Sequence, residues 1–454
     1  MSDEQRRYFG TDGIRGEANV HPLTPEFVVR LGQAAAEAFL EKRGDSREWP
    51  SVVIGRDTRQ SGDMLESAIA SGLNSRGIDV RLASVIPTPA VALLTRETGA
   101  AFGIVISASH NPFGDNGIKF FGPDGFKLDD NFEFEIEQRI EAEPGDQTWS
   151  IGRTSVIADA TERYVAFVRE GAGHDPDLLD GMTIALDAAN GAAYQSSESV
   201  LRSLGAEVKV SHNRPNGINI NEDCGCTHTG IIEEMVKKTG AHVGVSHDGD
   251  ADRVLLCDET GSVLDGDELM AIAAQAMIED GTLKDNTLVA TVMSNAGLEE
   301  AIESFGGKLE RTGVGDRYVL EAMRANGWNL GGEQSGHFIF MDHNTTGDGI
   351  VAAVQLLKIL RKSGKPLSEL RKIMTKFPQI LNNVRVSRKV AVEDLAAGDL
   401  LEKIESDLGS AGRIMLRYSG TEPLLRILIE GKEADYIKQA SDELAAAITA
   451  EIGE

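Results

Sequence analysis

Continuous apolar runs alternate with amphipathic stretches along most of the chain. In the N-terminal part, residues 51–57, 80–90 and 101–112 are apolar runs that end in glycine or proline, which is typical of buried strands. Residues 25–43 and 64–77 carry apolar positions three and four apart, as amphipathic helices do. The alternation predicts a parallel or mixed sheet covered by helices.

The same alternation restarts twice, and the pattern changes near the end of the chain. The later strand-like runs are residues 182–194, 206–212, 241–253, 287–295, 307–319 and 331–340. After Pro378 the pattern predicts a strand at 382–389, a hairpin within 413–431 and an amphipathic helix over 433–453. We therefore predict an α/β protein with three similar α/β domains containing mixed sheets, followed by a small α+β domain. The predicted boundaries are 1–154, 155–255, 256–374 and 375–454.

Length and composition favour a multidomain globular protein. The 454 residues exceed what one core accommodates, and 41% hydrophobic residues suffice to bury several. No run reaches about 18 apolar residues, and the first residues, MSDEQRRYF, are polar, so we expect a cytoplasmic location. Three cysteines are an odd number, which fits a reducing compartment. Cys224 and Cys226 lie near His228, but this tight spacing favours structural thiols over a zinc site.

The net charge narrows the range of partners. A formal charge of −27 argues against nucleic acid or an anionic membrane as partner, because both would be repelled. A small anionic substrate would need local cations to bind. Candidate groups lie in three glycine-containing segments: Thr11 and Arg15 in 9–16, Arg56 and Arg59 in 55–62, and Lys119 in 116–121. Taken singly, an Arg or Lys in such a segment is more often an ordinary surface charge.

Three aspartates alternate in the segment DGDADR. Asp248, Asp250 and Asp252 follow the strand-like run 241–247, so their carboxylates can project to one side. Three oxygen donors suit Mg²⁺ or another hard divalent ion, although a solvated acidic turn is the alternative. An EF-hand does not fit, because its sixth position here is Arg253 instead of glycine and a strand, not a helix, is predicted before it.

A serine follows the strand-like run at 101–106 in the segment SASHNP. Ser109 would lie on a loop at the end of a strand, where open α/β sheets bind ligands. Taken alone, the segment favours a turn in which Ser107, Ser109 and Asn111 merely form caps. A hydrolase triad is disfavoured because the G-x-S-x-G elbow is missing. A serine that exchanges a phosphoryl group would need a metal and nearby cations.

Two further segments combine glycine with polar side chains. A phosphate cradle or a polar hairpin turn is predicted for RYSGTEPLLR, which contains Arg417, Ser419, Gly420, Thr421 and Arg426. The segment GEQSGH offers Glu333, Ser335 and His337 for sugar hydroxyls, with an ordinary β-turn as the alternative.

These four motifs, in this order, resemble those of the α-D-phosphohexomutase family over essentially the whole chain. The resemblance implies four domains around a central cleft and a phosphoserine at Ser109. It also implies one Mg²⁺ per chain, held by Ser109 and the three aspartates, and sugar contacts from Glu333 and Ser335. The phosphate-binding residues would be Arg417, Ser419, Gly420, Thr421 and Arg426.

Finer marks resemble the branch of that family that acts on glucosamine phosphates. They are Gln334 and the segments 217–228 and 312–319, with Cys226 and Gly114 as small departures. The implied activity is an isomerase that interconverts glucosamine 6-phosphate and glucosamine 1-phosphate through a bisphosphate, supplying amino-sugar nucleotide and cell-wall precursor synthesis. Glucose or mannose phosphates are the alternative substrates. A phosphatase and a noncatalytic sugar-phosphate sensor are the other classes considered.

The resemblance also suggests individual roles. Arg15 and Lys119 are the expected catalytic residues, with Lys119 as proton-transfer partner, which as a general base would need a lowered pKa. Arg253 would bind substrate beside the metal. Ser109 must be phosphorylated for turnover, and a sugar bisphosphate is the expected activator. A homodimer is the candidate assembly.

Overall fold

The computed structural model describes residues 7–10, 12–43, 50–143, 150–173, 175–409, 412–419 and 423–454. The chain divides into two compact units. The first unit comprises Met1–Val292 and Leu309–Lys372, and the second comprises Met293–Lys308 and Ile373–Glu454. Among the described helices, none combines the length and apolar character needed to cross a membrane.

The first unit begins with a six-stranded mixed sheet. Its segment contains β1 (Ile14–Glu17), α1 (Pro25–Arg43), β2 (Ser51–Arg56), α2 (Ser61–Asn74), β3 (Asp79–Val85), α3 (Thr88–Glu97), β4 (Phe102–Ile106), β5 (Asp115–Phe121), α4 (Asp130–Glu141) and β6 (Thr154–Val156). The strand order is β1-β5-β4-β2-β3-β6. Strands β4, β2, β3 and β6 run parallel, whereas β5 is antiparallel to both of its neighbours.

Helix α1 has the bounds predicted for it, but the strand predicted over 80–90 ends earlier. Helix α3 begins at Thr88, and Pro89 occupies its first turn, where proline's fixed φ and missing N–H are tolerated. The strands β2 and β4 are buried on both faces, which explains their continuous apolar runs.

A second mixed sheet follows in the same unit. It is built from α5 (Ala160–Gly171), β7 (Thr183–Asp187), α6 (Ala193–Ser203), β8 (Glu207–Ser211), α7 (Gly230–Thr239), β9 (Val243–His247), β10 (Val254–Asp258) and β11 (Val263–Leu264). The order is β11-β10-β9-β7-β8, with β9, β7 and β8 parallel. A strand, β9, therefore precedes the three aspartates, as predicted in excluding an EF-hand.

The third α/β segment forms a four-stranded sheet of order β13-β12-β14-β15. Its elements are α8 (Gly266–Glu279), a 3₁₀ turn (Lys284–Asn286), β12 (Thr287–Thr291), α9 (Ala296–Ser304), β13 (Lys308–Thr312), α10 (Asp316–Asn326), β14 (Leu330–Gly332), β15 (Phe338–Phe340), α11 (Gly349–Ser363), α12 (Leu367–Leu370) and a 3₁₀ turn (Arg371–Ile373). The strand predicted over 307–319 is wrong beyond Thr312, because helix α10 begins at Asp316 directly after Gly315. Helix α9 belongs to the second unit.

The rest of the second unit is the small α+β domain that the sequence predicts. It contains β16 (Gln379–Arg385), a 3₁₀ turn (Val392–Asp394), α13 (Gly398–Leu408), β17 (Gly412–Tyr418), β18 (Leu424–Gly431) and α14 (Ala434–Ile452). The antiparallel order β16-β18-β17 includes the predicted hairpin. Helix α14 places Ile437, Leu444 and Ile448 in the core, in contact with apolar residues of β18 such as Ile427. The predicted fold class is confirmed.

Candidate active site

The serine loop, residues 107–115, leaves the carboxyl end of β4 in a tight turn. The Ser107 hydroxyl accepts a hydrogen bond from the Ser109 N–H at 2.9 Å and donates to Asp57 at 2.5 Å. Ser109 itself has a φ of 51°, in the left-handed region that is uncommon for residues other than glycine. The predicted capping role therefore holds for Ser107, and it leaves the Ser109 side chain available for another contact.

That contact is with the acidic loop, residues 248–253. The Ser109 Oγ donates to Asp248 Oδ2 at 2.6 Å and lies 3.3 Å from Nδ1 of His110. Ser109 is 2% exposed and Asp248 is 1% exposed, so the hydrogen bond is shielded from water. The structure thus brings together two motifs that are 139 residues apart in the sequence.

The three aspartates form a buried site with the donors of a hard cation. Oxygen atoms of Asp248, Asp250 and Asp252 all lie within 4.8 Å of one another. One oxygen each of Asp250 and Asp252 is buried and has no hydrogen-bond partner among the described residues. Unpartnered buried carboxylate oxygens are costly, and a divalent cation with oxygen preference would satisfy them. The residues present therefore fit a bound Mg²⁺-like ion.

The electrostatics of the three aspartates also favour a bound cation. Burial, followed by the neighbouring carboxylates of Asp252 and Asp250, raises the pKa of Asp248 well above its usual range. Burial also opposes ionisation of Asp252, but the nearby His337, Lys119 and Arg253 lower its pKa overall. Like charges at one site push the pKa values of the groups apart. A cation between the carboxylates would offset their repulsion.

Contacts from two helix N-termini fix the acidic loop. The backbone N–H of Thr88, at the start of α3, donates to the Asp250 carbonyl at 3.0 Å, and Thr88 Oγ1 donates to the Asp250 carboxylate at 2.7 Å. The N–H of Gly349, at the start of α11, donates to the Ala251 carbonyl at 3.0 Å. Ala251 has a φ of 58°, so the loop holds one strained residue between two ligand candidates. The aspartates are therefore held in place by the fold before any ion binds.

Lys119, on β5, lies against the same carboxylates. Its Nζ is 3.0 Å from both Asp12 and Asp250 and 3.9 Å from Asp252. Burial alone would lower the pKa of Lys119, but Asp12, Asp250 and Asp252 raise it overall. The lowered pKa that general-base work would need is not found, and the side chain is a charged donor at neutral pH.

Several residues that the motifs did not single out complete this charge network. Lys127 bridges Asp12 at 2.6 Å and Asp316 at 2.5 Å. Arg15 pairs with Asp12 and is about one-third exposed, so its guanidinium is accessible to a ligand. Asp12 lay within the predicted loop 9–16 and Asp316 within the segment 312–319, but neither of them had a role predicted from the sequence, and nothing there marked Lys127. Thr11 lies outside the described residues.

The segment 333–337 lies beside the acidic loop. Arg253 and His337 form a backbone bridge, and the Val254 N–H donates to the Gly336 carbonyl at 2.9 Å. The Arg253 Nε is 3.9 Å from Asp252. Glu333 accepts a hydrogen bond from the Gly315 N–H at 3.2 Å, and Ser335 is exposed. Arg253, Glu333 and Ser335 therefore belong to the same region of the first unit as Ser109.

The predicted phosphate cradle belongs to the second unit. Arg417 on β17 is directly opposite Arg426 on β18, and both side chains are exposed. Like charges that face each other across a strand pair are destabilising. Ser419 is buried, and its carbonyl accepts a hydrogen bond from Lys389 Nζ at 3.1 Å. Gly420 and Thr421 lie outside the described residues.

A second group of metal-type ligands consists of Asp187, His212 and Cys224, whose ligand atoms lie within 4.8 Å of one another. Both oxygens of Asp187 already accept backbone N–H groups, from Ala189 at 3.0 Å and Gly225 at 2.8 Å. The aspartate therefore anchors the loop that contains Cys224. Cys224, Cys226 and Cys257 are all buried free thiols.

Four family models match the chain in order. They are the Phosphoglucomutase/phosphomannomutase alpha/beta/alpha domain I at residues 6–146, domain II at 162–261, domain III at 265–377 and the C-terminal domain at 381–447. The serine loop lies in the first match and the acidic loop in the second. Segment 333–337 lies in the third, and Arg417 and Arg426 lie in the fourth.

Relatives and solved structures agree with these matches. The chain is 49% identical over 456 residues to the phosphoglucosamine mutase of Pelobacter propionicus, covering 99% of both, and 48% identical over 460 residues to that of Bdellovibrio bacteriovorus, covering 99% of this chain and all of the relative. Its fold is similar to that of a phosphoglucomutase/phosphomannomutase family protein from Burkholderia thailandensis, with a TM-score of 0.80, 22% identity and coverage of 99% and 98%. The Aspergillus fumigatus N-acetylphosphoglucosamine mutase in complex with GlcNAc-6P and magnesium gives a TM-score of 0.65, 17% identity and coverage of 97% and 95%. With all four domains matched and full-length relatives at nearly half identity, the chain belongs to the phosphoglucomutase/phosphomannomutase family of phosphohexomutases.

Proposed function

We propose that this protein interconverts glucosamine 6-phosphate and glucosamine 1-phosphate. The reaction passes through a phosphorylated Ser109 and a glucosamine 1,6-bisphosphate. The observation that supports a serine carrier is the 2.6 Å hydrogen bond between Ser109 and Asp248, which puts the hydroxyl at the edge of the acidic site. The substrate assignment rests on the relatives, which are named phosphoglucosamine mutases over their full length.

The first transfer is a simple exchange of bonds. The bond between Ser109 Oγ and phosphorus breaks, and a bond forms between that phosphorus and the free hydroxyl oxygen of the sugar phosphate. The hydroxyl proton of the sugar passes, directly or through neighbouring groups, to the Ser109 oxygen. The second half-reaction returns the other phosphoryl group of the bisphosphate to Ser109, so the enzyme ends phosphorylated as it began.

Asp248, Asp250 and Asp252 would hold a Mg²⁺ ion, which supplies charge neutralisation to the phosphoryl group when bound. Asp248 also accepts a hydrogen bond from the Ser109 hydroxyl at 2.6 Å. Lys119 would act as a fixed ammonium that stabilises negative charge, because its pKa is raised. Arg15, the more accessible cation nearby, would contact the transferring group.

Substrate recognition is divided among other segments. Glu333 and Ser335 would bind sugar hydroxyls, and Arg253 would contact the phosphoryl group beside the aspartates. Arg417, Ser419, Gly420, Thr421 and Arg426 would grip the phosphate that is not reacting. Gripping one end of the sugar orients the other, which converts the transfer into an effectively intramolecular reaction.

The direct experiment combines a kinetic and a mass measurement. Turnover of glucosamine, glucose and mannose phosphates is compared under identical conditions with Mg²⁺ and a catalytic amount of sugar bisphosphate. We expect glucosamine phosphate to give the highest kcat/KM and intact mass to show one phosphate on Ser109. A preference for glucose or mannose phosphate would replace the substrate assignment. Net release of inorganic phosphate would indicate a phosphatase, and binding without any turnover would indicate a sensor.

A further inference from the structure

The backbone carbonyl of Ser109 accepts hydrogen bonds from two side chains that come from different sheets. Arg59 Nη2, after β2 of the first sheet, donates at 2.9 Å, and Asn221 Nδ2, in a loop of the second sheet, also donates at 2.9 Å. We propose that Arg59 and Asn221 are positioning residues that fix the serine loop relative to the acidic loop. The inference rests on the proposed function, since it concerns how Ser109 is aligned for phosphoryl transfer.

Arg59 is fully committed to the backbone of the serine loop. Its Nη2 also donates to the Asn111 carbonyl at 2.8 Å, and its Nη1 donates to the carbonyls of Pro112 and, at 3.0 Å, Asp115. The remaining donor, Nε, contacts Asp57 at 2.8 Å. The side chain is 0% exposed. The sequence suggested an anion-binding cation here, but all five guanidinium donors are occupied by the protein itself.

Asn221 ties the second sheet to the same loop. Its Nδ2 donates to the carbonyls of Ser109 and Asn111, at 2.9 and 3.0 Å, and it is buried. The backbone N–H of Asn221 donates to the Ala189 carbonyl at 2.9 Å, so Asn221 is held against the loop that follows β7. Its φ of 58° lies in the left-handed region that asparagine tolerates better than most residues.

The acidic loop packs on the same carbonyl. A Cβ on Gly249, between two of the aspartates, would lie 2.5 Å from the Ser109 oxygen and 2.8 Å from Asn221 Nδ2. The Ser109 carbonyl is therefore the point where the serine loop, the Asn221 loop and the acidic loop meet. The hydroxyl and this carbonyl belong to the same residue, Ser109. Fixing the carbonyl therefore also sets the distance from Oγ to the aspartates.

This arrangement predicts a specific kinetic defect. Asn221 does not contact the triplet's carboxylates through any described hydrogen bond, so its loss should leave metal binding intact. A misplacement of about 1 Å in a reacting group costs on the order of 100-fold in rate. Loss of Asn221 should thus lower kcat while leaving the KM for sugar phosphate and the affinity for metal nearly unchanged.

The test compares Asn221→Ala with Asn219→Ala in the full chain. Asn219 lies in the same loop, but the hydrogen bonds of its side chain to described residues stay within that loop, at Asn216 and Arg214. We expect Asn221→Ala to lower kcat about 10- to 100-fold, with KM and the Mn²⁺ dissociation constant within about three-fold of wild type. Asn219→Ala should retain kcat within about three-fold. A kcat for Asn221→Ala that matches the control, or a defect confined to KM or Mn²⁺ affinity, would overturn the proposal.

A second pair of variants separates positioning from folding. Asn221→Asp keeps the side-chain size but removes the Nδ2 donor, so it should lower kcat at least as much as Asn221→Ala. Arg59→Lys keeps the charge but loses the planar fork that reaches four carbonyls, and we expect the same kcat defect in protein that remains folded by circular dichroism. Retained kcat in both variants would rule the inference out. Absence of mutase activity in the wild type, by contrast, would count against the proposed function itself.

Discussion

The Ser109 hydroxyl donates to the Asp248 carboxylate at 2.6 Å, although the two residues belong to segments matched by different family models. The alignment of the proposed carrier with the proposed metal site is therefore a property of how two sheets pack within one unit. Burial of both residues excludes bulk water, which strengthens electrostatic interactions and would protect the proposed phosphoserine from hydrolysis. The predictions below test this alignment and the electrostatics around it.

Replacing Ser109 with alanine removes the proposed phosphoryl acceptor and one hydrogen bond. We expect Ser109→Ala to lose mutase turnover by at least about 1,000-fold, because alanine has no oxygen to form the bond to phosphorus. The variant should fold, since its backbone contacts to Arg59 and Asn221 use the carbonyl. The measurements are coupled mutase kinetics and intact mass. Wild-type activity in this variant would remove the carrier assignment.

Asp250→Asn should weaken metal binding without changing side-chain size. One Asp250 oxygen is buried with no partner in the described part of the chain, and the other accepts hydrogen bonds from Thr88 and Lys119, so the amide cannot replace both oxygens. We expect Mn²⁺ affinity to fall about 10- to 100-fold, by isothermal titration, with a matching rise in the Mg²⁺ needed for activity. Asp342→Asn, an exposed aspartate of the same unit, is the control. Equal affinities for the two variants would contradict a metal site at the triplet.

Gly249→Ala tests the contact between the acidic loop and the serine loop. The added Cβ would lie 2.5 Å from the Ser109 carbonyl oxygen, which is backbone held by two side chains and cannot move aside freely. We expect the free energy of unfolding to fall by about 1–3 kcal/mol. We expect kcat to fall by a larger proportion. Gly114→Ala is the matched control, since a Cβ there meets nothing within 4 Å. Similar behaviour of the two variants would show that the loops are not packed as described.

The sequence predicted some of these features and could not predict others. The spacing of apolar residues and the positions of glycine and proline predicted the bounds of helix α1 and a strand before the aspartates. Both features depend on local apolar patterning. The SASHNP segment alone favoured a capped turn, and Ser107 does form that cap. The role of Ser109 needed the family resemblance, since its partner is 139 residues away.

Residues that act through tertiary contacts left no local signal. Arg59 resembled an anion-binding cation, because a sequence does not show that its donors are taken by the carbonyls of residues 109–115. Asn221 lies in a polar loop where asparagine is common in turns. The helix starting at Asp316 was predicted as strand, although Gly315 interrupts the apolar pattern there. The cases of Arg59 and Asn221 depend on packing between distant segments, which local propensity does not encode, whereas the error at Asp316 concerns a local signal.

Arg417→Gln tests the proposed phosphate loop in the second unit. Arg417 is directly opposite Arg426, so its removal both weakens anion binding and relieves repulsion between the two cations. A hydrogen bond to a charged group contributes about 1.5–3 kcal/mol, so we expect kcat/KM to fall roughly 10- to 100-fold, mainly through KM. Arg385→Gln, on strand β16 of the same sheet and paired with Glu454, is the control. An unchanged KM for Arg417→Gln would exclude this loop from substrate binding.

The burial of His247, the last residue of β9, predicts that the stability of the folded protein depends on pH. It is fully buried, with Nε2 2.9 Å from Ser197 Oγ and Nδ1 3.1 Å from the Arg253 carbonyl. Burial lowers the pKa of His247 from 6.5 to about 4. Between these values the unfolded chain binds a proton that the folded chain does not, so stability falls as pH decreases from 6.5 to 4, and it is unaffected by this group above that window. The full difference is about 3 kcal/mol, from 1.36 kcal/mol per pKa unit.

The comparison that isolates this effect is wild type against His247→Gln, measured as urea unfolding midpoints at pH 7.5 and pH 5. At pH 7.5 the variant should be less stable, because glutamine cannot reproduce both hydrogen bonds of a packed imidazole. At pH 5 the gap should narrow, because only the wild type binds a proton at this position on unfolding. His228→Gln, at an exposed histidine, controls for the substitution itself. A gap that stays constant between the two pH values would mean that His247 is not held neutral beneath the acidic loop.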